Sequence, residues 1–344
     1  MNDQLKRLAV RTLVVTAVVV AVLLFLLLIG SAANVFLIFF VCLLFALFLR
    51  GLSHWLSEHS FLSETWALVV VVLGLGIVFG VGSWLLAPSI GKQMATLADE
   101  LPKSIERLEQ HLRQYEWGRR MLGNGSGIEG VFSKIPQAFS KAGVFVSSAL
   151  GILVNVVVVF FVGIYFAASP HLYINGFLKL LPPKKQPRGR EVLFTNGRIL
   201  QRWLLGRLIL MATNGVLTAI GLAVLGVPLA VPLGIIAALL NFIPNLGPIL
   251  AAIPALLIAF MQGPTIALYV LIFYVAYQML DGYVFTPLVQ KQTIAMPPAL
   301  TIMAQVLMGV LFGTMGVLVA VPLLAVVLTS IKMLYVEDVL GEPT

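Results

Sequence analysis

Six uninterrupted apolar runs, at residues 12–29, 32–49, 65–87, 143–168, 208–226 and 265–280, dictate what this chain can become. Each is close to the length an α-helix needs to cross the hydrocarbon core of a bilayer. In lipid no water satisfies a backbone N–H or C=O, so each run must close its hydrogen bonds internally, which a helix does within one segment. The chain is 60% apolar and 10% charged, with a mean hydropathy of +1.03, and no soluble core could hide that surface. The expectation is an all-α membrane protein, a multispan helical bundle. The first run follows Lys6, Arg7 and Arg11 like a signal peptide. It is long for one, and a second run starts at Ala32, so it reads as a retained span. Trp66 and Trp84 bracket the third run roughly 27 Å apart along a helix, the spacing of an aromatic belt.

Two further apolar segments, 228–262 and 298–331, are broken near their middles. The first is interrupted by Asn241-Phe-Ile-Pro-Asn-Leu-Gly-Pro248 and the second by Phe312-Gly-Thr-Met-Gly316. Pro removes a donor and Gly eases departure from helical φ/ψ. As one straight helix the first segment would run about 50 Å, too long for one crossing, and two full crossings need more residues than it has. Each half spans only about 20 Å, which suits a re-entrant hairpin that returns to its own side. The rival is a kinked single span in each case. Hairpins put Lys291 in the cytoplasm and kinked spans put it outside, so charge favours hairpins. Gly247 to Pro254 echoes Gly316 to Pro322, which with opposite orientations makes the pair inverted repeats. Unwound backbone at membrane depth survives where it lines a cavity or is buried in protein, so the breaks point to a transport site.

Orientation follows from Lys and Arg. Lys179, Lys184, Lys185, Arg188, Arg190, Arg198, Arg202 and Arg207 face one acid, Glu191, across 169–207, which assigns that loop and the N-terminus to the cytoplasm. The net charge of +8 sits beside the spans and signals no nucleic acid. The chain divides into three spans over 1–87, an extramembrane amphipathic helical segment over 88–142, a fourth span and basic cytoplasmic loop over 143–207, and a transport half over 208–344. In that last part the hairpins flank span 265–280. Leu97, Leu101, Ile105, Leu108 and Leu112 share a helix face, either lying on the membrane or neighbouring copies, or covering the protein's own loops. Gly74, Gly76, Gly80 and Gly82 predict close helix contact in the third span.

Candidate site residues cluster at the breaks. Asn241, Pro244, Asn245, Gly247 and Pro248 at the first tip, with Gly313, Thr314 and Gly316 at the second, form the expected binding site for a small polar solute. Asn241 and Asn245 equally suit caps on the half-helices. Asp281 is the only acid between Glu191 and Glu337. It reads either as an ion- or proton-coupling group or as an interfacial acid paired with Lys291. Gln278 would line the path; Gln278, Gln305 and Asn214 also suit interhelical packing. Enzyme chemistry has no footing. His54, His59, His111 and His171 lie outside the runs, there is no His-Glu-x-x-His and no phosphate-binding Gly-x-x-x-x-Gly-Lys-Ser/Thr, and Asp281 has no intramembrane acidic partner for proteolysis. No metal and no cofactor is expected. Cys42, the single cysteine, lies within an apolar run.

Gly226-Val-Pro-Leu229, Asn241-Phe-Ile-Pro-Asn-Leu-Gly-Pro-Ile249, Gln278-x-x-Asp-Gly-x-x-x-x-Pro287 and Met296-Pro297 together resemble the autoinducer-2 exporter family of bacterial inner-membrane proteins. The resemblance covers nearly the whole chain. It implies a multi-pass carrier, N-terminus cytoplasmic, exporting a quorum-sensing furanone or similar small polar solute by an elevator-like motion of two hairpins. It also implies a homo-oligomer, of pentameric type, embedded in membrane lipid. Some members are associated instead with antiport of sodium or other monovalent cations against protons. The family pattern usually has Gly at the place of Lys291 and often Glu or Asn at that of Asp281. A non-transporting scaffold would leave the broken segments without a purpose.

Overall fold

The computed structural model describes residues 35–114, 116, 149–290 and 296–341, and every regular element among them is helical. The first expected span, 12–29, lies outside these residues. Helix α1, Val35–Glu58, carries the second apolar run. Helix α2, Glu64–Arg113, carries the third and continues without interruption through Pro88 and Pro102. Its 50 residues extend about 75 Å. The helix is thus continuous across residue 87, where the sequence divides a membrane span from an extramembrane helical segment. A proline removes one hydrogen bond and crowds the preceding turn, which a long helix accommodates by bending when both sides are otherwise held.

Helix α3, Ala149–Ala168, leads at Ser169 into α4, Pro170–Leu178, with an 80° change of direction. Pro170 opens α4 at a position where its missing N–H costs nothing. The expected basic loop is mostly helical: α5 runs Gln186–Val224, so the arginines from 188 to 207 ride on the first half of a 39-residue helix. No proline follows Pro187 until Pro228, and the intervening Leu, Arg and Ala residues favour helix. Then come α6, Ala230–Leu240, α7, Leu246–Gln262, and α8, Pro264–Leu280. A π-helical turn, Asp281–Phe285, joins α8 to α9, Thr286–Gln290. The last helix is α10, Pro298–Ile331, followed by a second π-helical turn, Lys332–Glu337. Among the described residues four helices are long and apolar enough to cross a membrane, or five if α3 and α4 count as one bent span.

Both expected breaks are present. Between α6 and α7 the chain reverses through 241–245, with Asn245 at φ +65°. A β-carbon built on Gly247 would fall on the Leu240 carbonyl and the Asn241 backbone. Inside α10 a single residue, Gly313, leaves helical geometry at φ 63°, ψ −148°. Its effect is large: a β-carbon on Gly316 would fall on the Met308 carbonyl, and one on Gly309 would meet Val317 at 2.9 Å. In a straight helix residues 308 and 316 stand about 12 Å apart. The chain therefore folds back on itself at Gly313.

Helix α5 is the pillar against which both fold-backs lie. Helix α6 packs along its second half, and α7 lies behind it, against α6, α8 and α2. Asn241 at the tip donates from Nδ2 to the Leu210 carbonyl at 3.1 Å, and at the open end Gln262 Nε2 donates to the Gly226 carbonyl at 2.9 Å. Gly215 and Gly234 let the two helices touch, since a β-carbon on Gly234 would stand 2.7 Å from the Gly215 carbonyl oxygen. The closing limb of α10 packs along the first half of α5. Val321 joins Leu200, Trp203 and Leu204 in one cluster, Asn196 Nδ2 donates to Ser330 Oγ at 3.1 Å, and Arg188 Nη2 to the Met333 carbonyl at 2.8 Å. The α6–α7 pair thus opens toward the Val224 end of α5, and α10 opens toward the Arg188 end. Arg188 also binds Glu191, Glu337 and Asp338 at 2.7–2.8 Å, pinning the chain's last turn to the start of α5.

The amphipathic half of α2 covers the protein itself. Leu97, Leu101 and Ile105 are buried in one cluster with Leu222, Val227, Leu233 and Ile258, around the open end of the first fold-back. Ser104 Oγ reaches Met261 Sδ, and His111 meets the Phe260 ring edge-on at 5.6 Å. Replacing Leu101, which has no exposed surface, by Ala is expected to cost about 2–5 kcal/mol. Thermal unfolding in detergent checks this; the exposed neighbour Glu106→Ala is the control and should shift the midpoint little. The glycines of α2 do not behave as expected: nothing lies within 4 Å of a β-carbon built on Gly74, Gly76 or Gly80. They make no close helix contact within the described chain.

Candidate functional site

The tip of the first fold-back, the middle of α5, the π-turn after α8 and the rising limb of α10 converge on one buried polar cluster. At its centre is Arg207, 6% exposed. Its Nε donates to the Phe242 carbonyl at 3.2 Å, and its Nη2 donates to the Asn241 carbonyl and reaches Asn241 Oδ1 at 3.4 Å. A guanidinium presents donors in a fixed planar fork, so one side chain holds two successive carbonyls that lost their helical partners at the break. Trp203, one turn earlier, meets Phe242 edge-on at 5.9 Å and fixes the same tip.

Asp281, also buried, lies within electrostatic range of Arg207 and Tyr277. Its Oδ2 accepts a long hydrogen bond from Thr286 Oγ1 at 3.4 Å, and its Oδ1 has no partner among the described residues. Val270, Tyr274, Tyr277 and Asp281 follow one another at helical spacing and form the buried face of α8. Placing Asp281 at a π-turn widens the helix just where the carboxylate faces Arg207; such turns recur at functional sites. From the opposite side Gln305 donates from Nε2 to the Pro244 carbonyl at 3.1 Å, leaving its Oε1 without a partner. Among the described residues the Tyr277 hydroxyl is likewise buried and unpartnered. Two acceptor oxygens and one hydroxyl, which can donate as well as accept, are therefore uncommitted in this cluster.

The expected residues separate into those gathered here and those not. Asn241, Pro244, Gly247 and Pro248 sit at the tip, Asn241, Gly247 and Pro248 being buried. The Asn241 amide is used on Leu210, and neither Asn241 nor Asn245 makes a side-chain cap. Asn245 is exposed. Gln278 is exposed too, one position past Tyr277 and so turned away by about 100°. Gly313 and Thr314 are exposed at the second tip, while Gly316 is buried against Met308. The first tip meets α10 at Gln305, eight residues before Gly313, so the two tips do not meet face to face. Asn214 bonds the Ala237 carbonyl at 3.3 Å and accepts from Thr218 at 3.1 Å, the packing role expected for it. Lys291, the partner considered for Asp281, lies outside the described residues.

Arg207 is the residue that charge reading overlooks, because it ends a basic stretch and looks interfacial. A signal was present: Asn196, Trp203, Arg207, Asn214 and Thr218 recur at alternating spacings of seven and four, a stripe along one face of α5. Among the described residues no three His, Cys, Asp or Glu side chains are grouped to hold a metal.

The family model described as "AI-2E family transporter" matches residues 13–335. The "Putative transport protein YueF" of Bacillus subtilis is 26% identical over 314 residues, covering 85% of this chain and 84% of YueF. The "Putative transport protein YrrI" of the same organism is 25% identical over 312 residues, covering 85% and 84%. The "Putative transport protein YhhT" of Escherichia coli is 23% identical over 329 residues, covering 91% of this chain and 87% of YhhT. The match takes in every described helix from α1 to α10, so the chain belongs to the AI-2E transporter family, bacterial multi-pass membrane proteins of transport.

Proposed function

We propose that this chain is a secondary transporter in the bacterial cytoplasmic membrane that exports a small polar organic solute, of the type of the autoinducer-2 signal, by elevator-like alternating access. The observation that carries the reading is the pair of fold-backs on α5, one opening toward Val224 and the other toward Arg188. With the basic first half of α5 cytoplasmic by the charge rule, they become re-entrant hairpins inserted from opposite faces. Inverted broken helices meeting near mid-membrane are the arrangement on which such transport is built.

The chemistry of the cluster favours an uncharged, hydroxyl-rich solute. Arg207 is already spent on carbonyls, and Asp281 offsets its charge, so an anion gains nothing. Among the described residues Asp281 Oδ1, Gln305 Oε1 and the Tyr277 hydroxyl each lack a partner, and a hydroxyl-bearing ligand, which donates to the first two and can accept from the phenol, meets that need. Gln305→Leu is expected to lower the flux of a polyhydroxylated solute about tenfold, the effect of roughly 1.4 kcal/mol. Efflux from proteoliposomes holding purified protein measures it. No flux of any polar solute under a proton or sodium gradient sinks the proposal.

The unpartnered, buried Asp281 favours a second reading, antiport of a monovalent cation against protons. Asp281→Asn separates the two. Loss of pH-driven cation flux with organic efflux intact makes antiport the activity of Asp281 and removes it from the export site. In the same proposal the chain acts as a homo-oligomer, a pentamer as the family resemblance implies, with the open glycine face of α2 at Gly74, Gly76 and Gly80 as the contact. Native mass spectrometry of the wild type and of Gly76→Leu reads the subunit number.

A further inference from the structure

A second polar constellation lies where α1, α2 and α3 meet beside α5. It rims a cavity of about 450 Å³. One end is charged: Arg50, Ser53, His54 and Glu64 line it. The other end is apolar, with Leu68, Val72 and Ile164 along its walls. A slot with an ionic mouth and an aliphatic interior is the complement of an amphiphile.

The charges at the mouth are arranged but not closed. Arg50 Nε donates to the Ala167 carbonyl at 2.8 Å, which fixes the guanidinium, while its Nη1 stands 3.7 Å from Glu64 Oε2. His54 Nδ1 stands 3.8 Å from the other Glu64 oxygen, and His54 Nε2 is 3.2 Å from Glu58. Well-formed charge-assisted hydrogen bonds are about 2.7–2.9 Å, so Arg50 and Glu64 face each other across a gap. Ser53, 5% exposed, holds the start of α2 in place through the Glu64 carbonyl at 3.0 Å. Exposed Trp55, Phe61 and Trp66 surround this end, the residues that mark headgroup level in a bilayer.

We infer that this groove is a binding site for a zwitterionic aminophospholipid of the cytoplasmic leaflet. The phosphate meets Arg50 and His54, the primary ammonium meets Glu64, and one acyl chain lies on Leu68, Val72 and Ile164. An anionic headgroup without an amine would leave Glu64 and Glu58 against like charge, and a quaternary ammonium has no N–H to donate. Gln201 of α5 also lines the cavity, and a β-carbon on Gly51 would touch it at 2.5 Å. A lipid here therefore contacts the α1–α2–α3 group and the pillar of the hairpins together.

The test is native mass spectrometry of the full chain released from nanodiscs of phosphatidylethanolamine, phosphatidylglycerol and phosphatidylcholine in equal parts. Retained phosphatidylethanolamine is expected to exceed each of the others about fivefold, equivalent to ~1 kcal/mol. Glu64→Gln should bring ethanolamine and choline lipids to parity, and Val72→Trp, which fills the slot, should abolish retention. Equal or greater retention of either other lipid by the wild type overturns the inference, as does unchanged retention in a folded Val72→Trp protein. Should either variant fail to fold, a phosphatidylethanolamine carrying a diazirine on its acyl chain decides the matter in the wild type. Adducts on 64–73 or 164–168 support the site. Adducts only elsewhere, including a groove filled by the chain's own run 12–29, end it.

Discussion

Replacing Arg207 by Met is expected to be among the most damaging single changes in this protein. The aliphatic stem is kept and the guanidinium lost, so packing between α5 and the tip changes little while the carbonyls of Asn241 and Phe242 lose their donors. A buried acceptor left unpartnered costs about 1–3 kcal/mol, and two are affected. Among the described residues Arg207 is the cation whose charge acts on Asp281, so the carboxylate loses that compensation as well. These contributions overlap and do not simply add. A fall of several kcal/mol is expected, read as a lower apparent unfolding midpoint in detergent at fixed scan rate. Solute efflux should fall at least about tenfold with it.

Two companion variants locate the cause. Arg207→Lys keeps the charge but replaces a planar fork by a point donor, which cannot serve both carbonyls in the same geometry. If the clamp on the tip matters, Lys rescues stability only in part. If charge balance with Asp281 matters most, the double change Arg207→Met with Asp281→Asn should recover more than either single change permits. A wild-type midpoint and wild-type efflux in Arg207→Met would remove this residue from the site altogether.

Much of the architecture was legible because lipid leaves so few options. Apolar length gave the helices, and Pro244, Gly247, Gly313 and Gly316 gave the two breaks within a residue or two of their places. Charge patterning was less informative, since it assigns each Arg to an interface. It therefore turned the arginines before 207 into a loop, whereas helical propensity carries them on α5. At residue 87 the apolar run ends but the helix does not: α2 passes through Pro88, because loss of hydropathy and loss of helical structure are separate signals. At the site, helical phase decides. Tyr274, Tyr277 and Asp281 point inward together, and Gln278, chosen for its polarity alone, points out. Glycine spacing carried no information about which neighbour it serves, as Gly76 and Gly215 illustrate: one is open and the other lies against Gly234 and Ala238.

Gly247→Ala and Gly316→Ala are expected to prevent folding of their hairpins, and the argument is the same at both. Neither glycine has a positive φ, so backbone conformation itself admits Ala. What excludes a methyl group is the returning chain. At Gly247 it would overlap the Leu240 carbonyl and crowd the Asn241 Cα, and at Gly316 it would overlap the Met308 carbonyl. Both obstacles are backbone, which cannot rotate aside as a side chain does, so the limbs must separate near the reversal. Separation at the first tip pulls Asn241 from Leu210 and Arg207, and at the second it disturbs the approach of Gln305 to Pro244. Overpacking a tight interior costs typically about 1–3 kcal/mol, and here the lost polar contacts come in addition. Gly176→Ala in α4 is the control, because nothing lies within 4 Å of its added carbon. The measurement is the yield of monodisperse protein after detergent extraction, followed by the unfolding midpoint of whatever survives. Near-normal yield and midpoint for Gly316→Ala would mean that α10 is a bent rod rather than a folded hairpin. The transport mechanism built on opposed hairpins would then have lost its second arm.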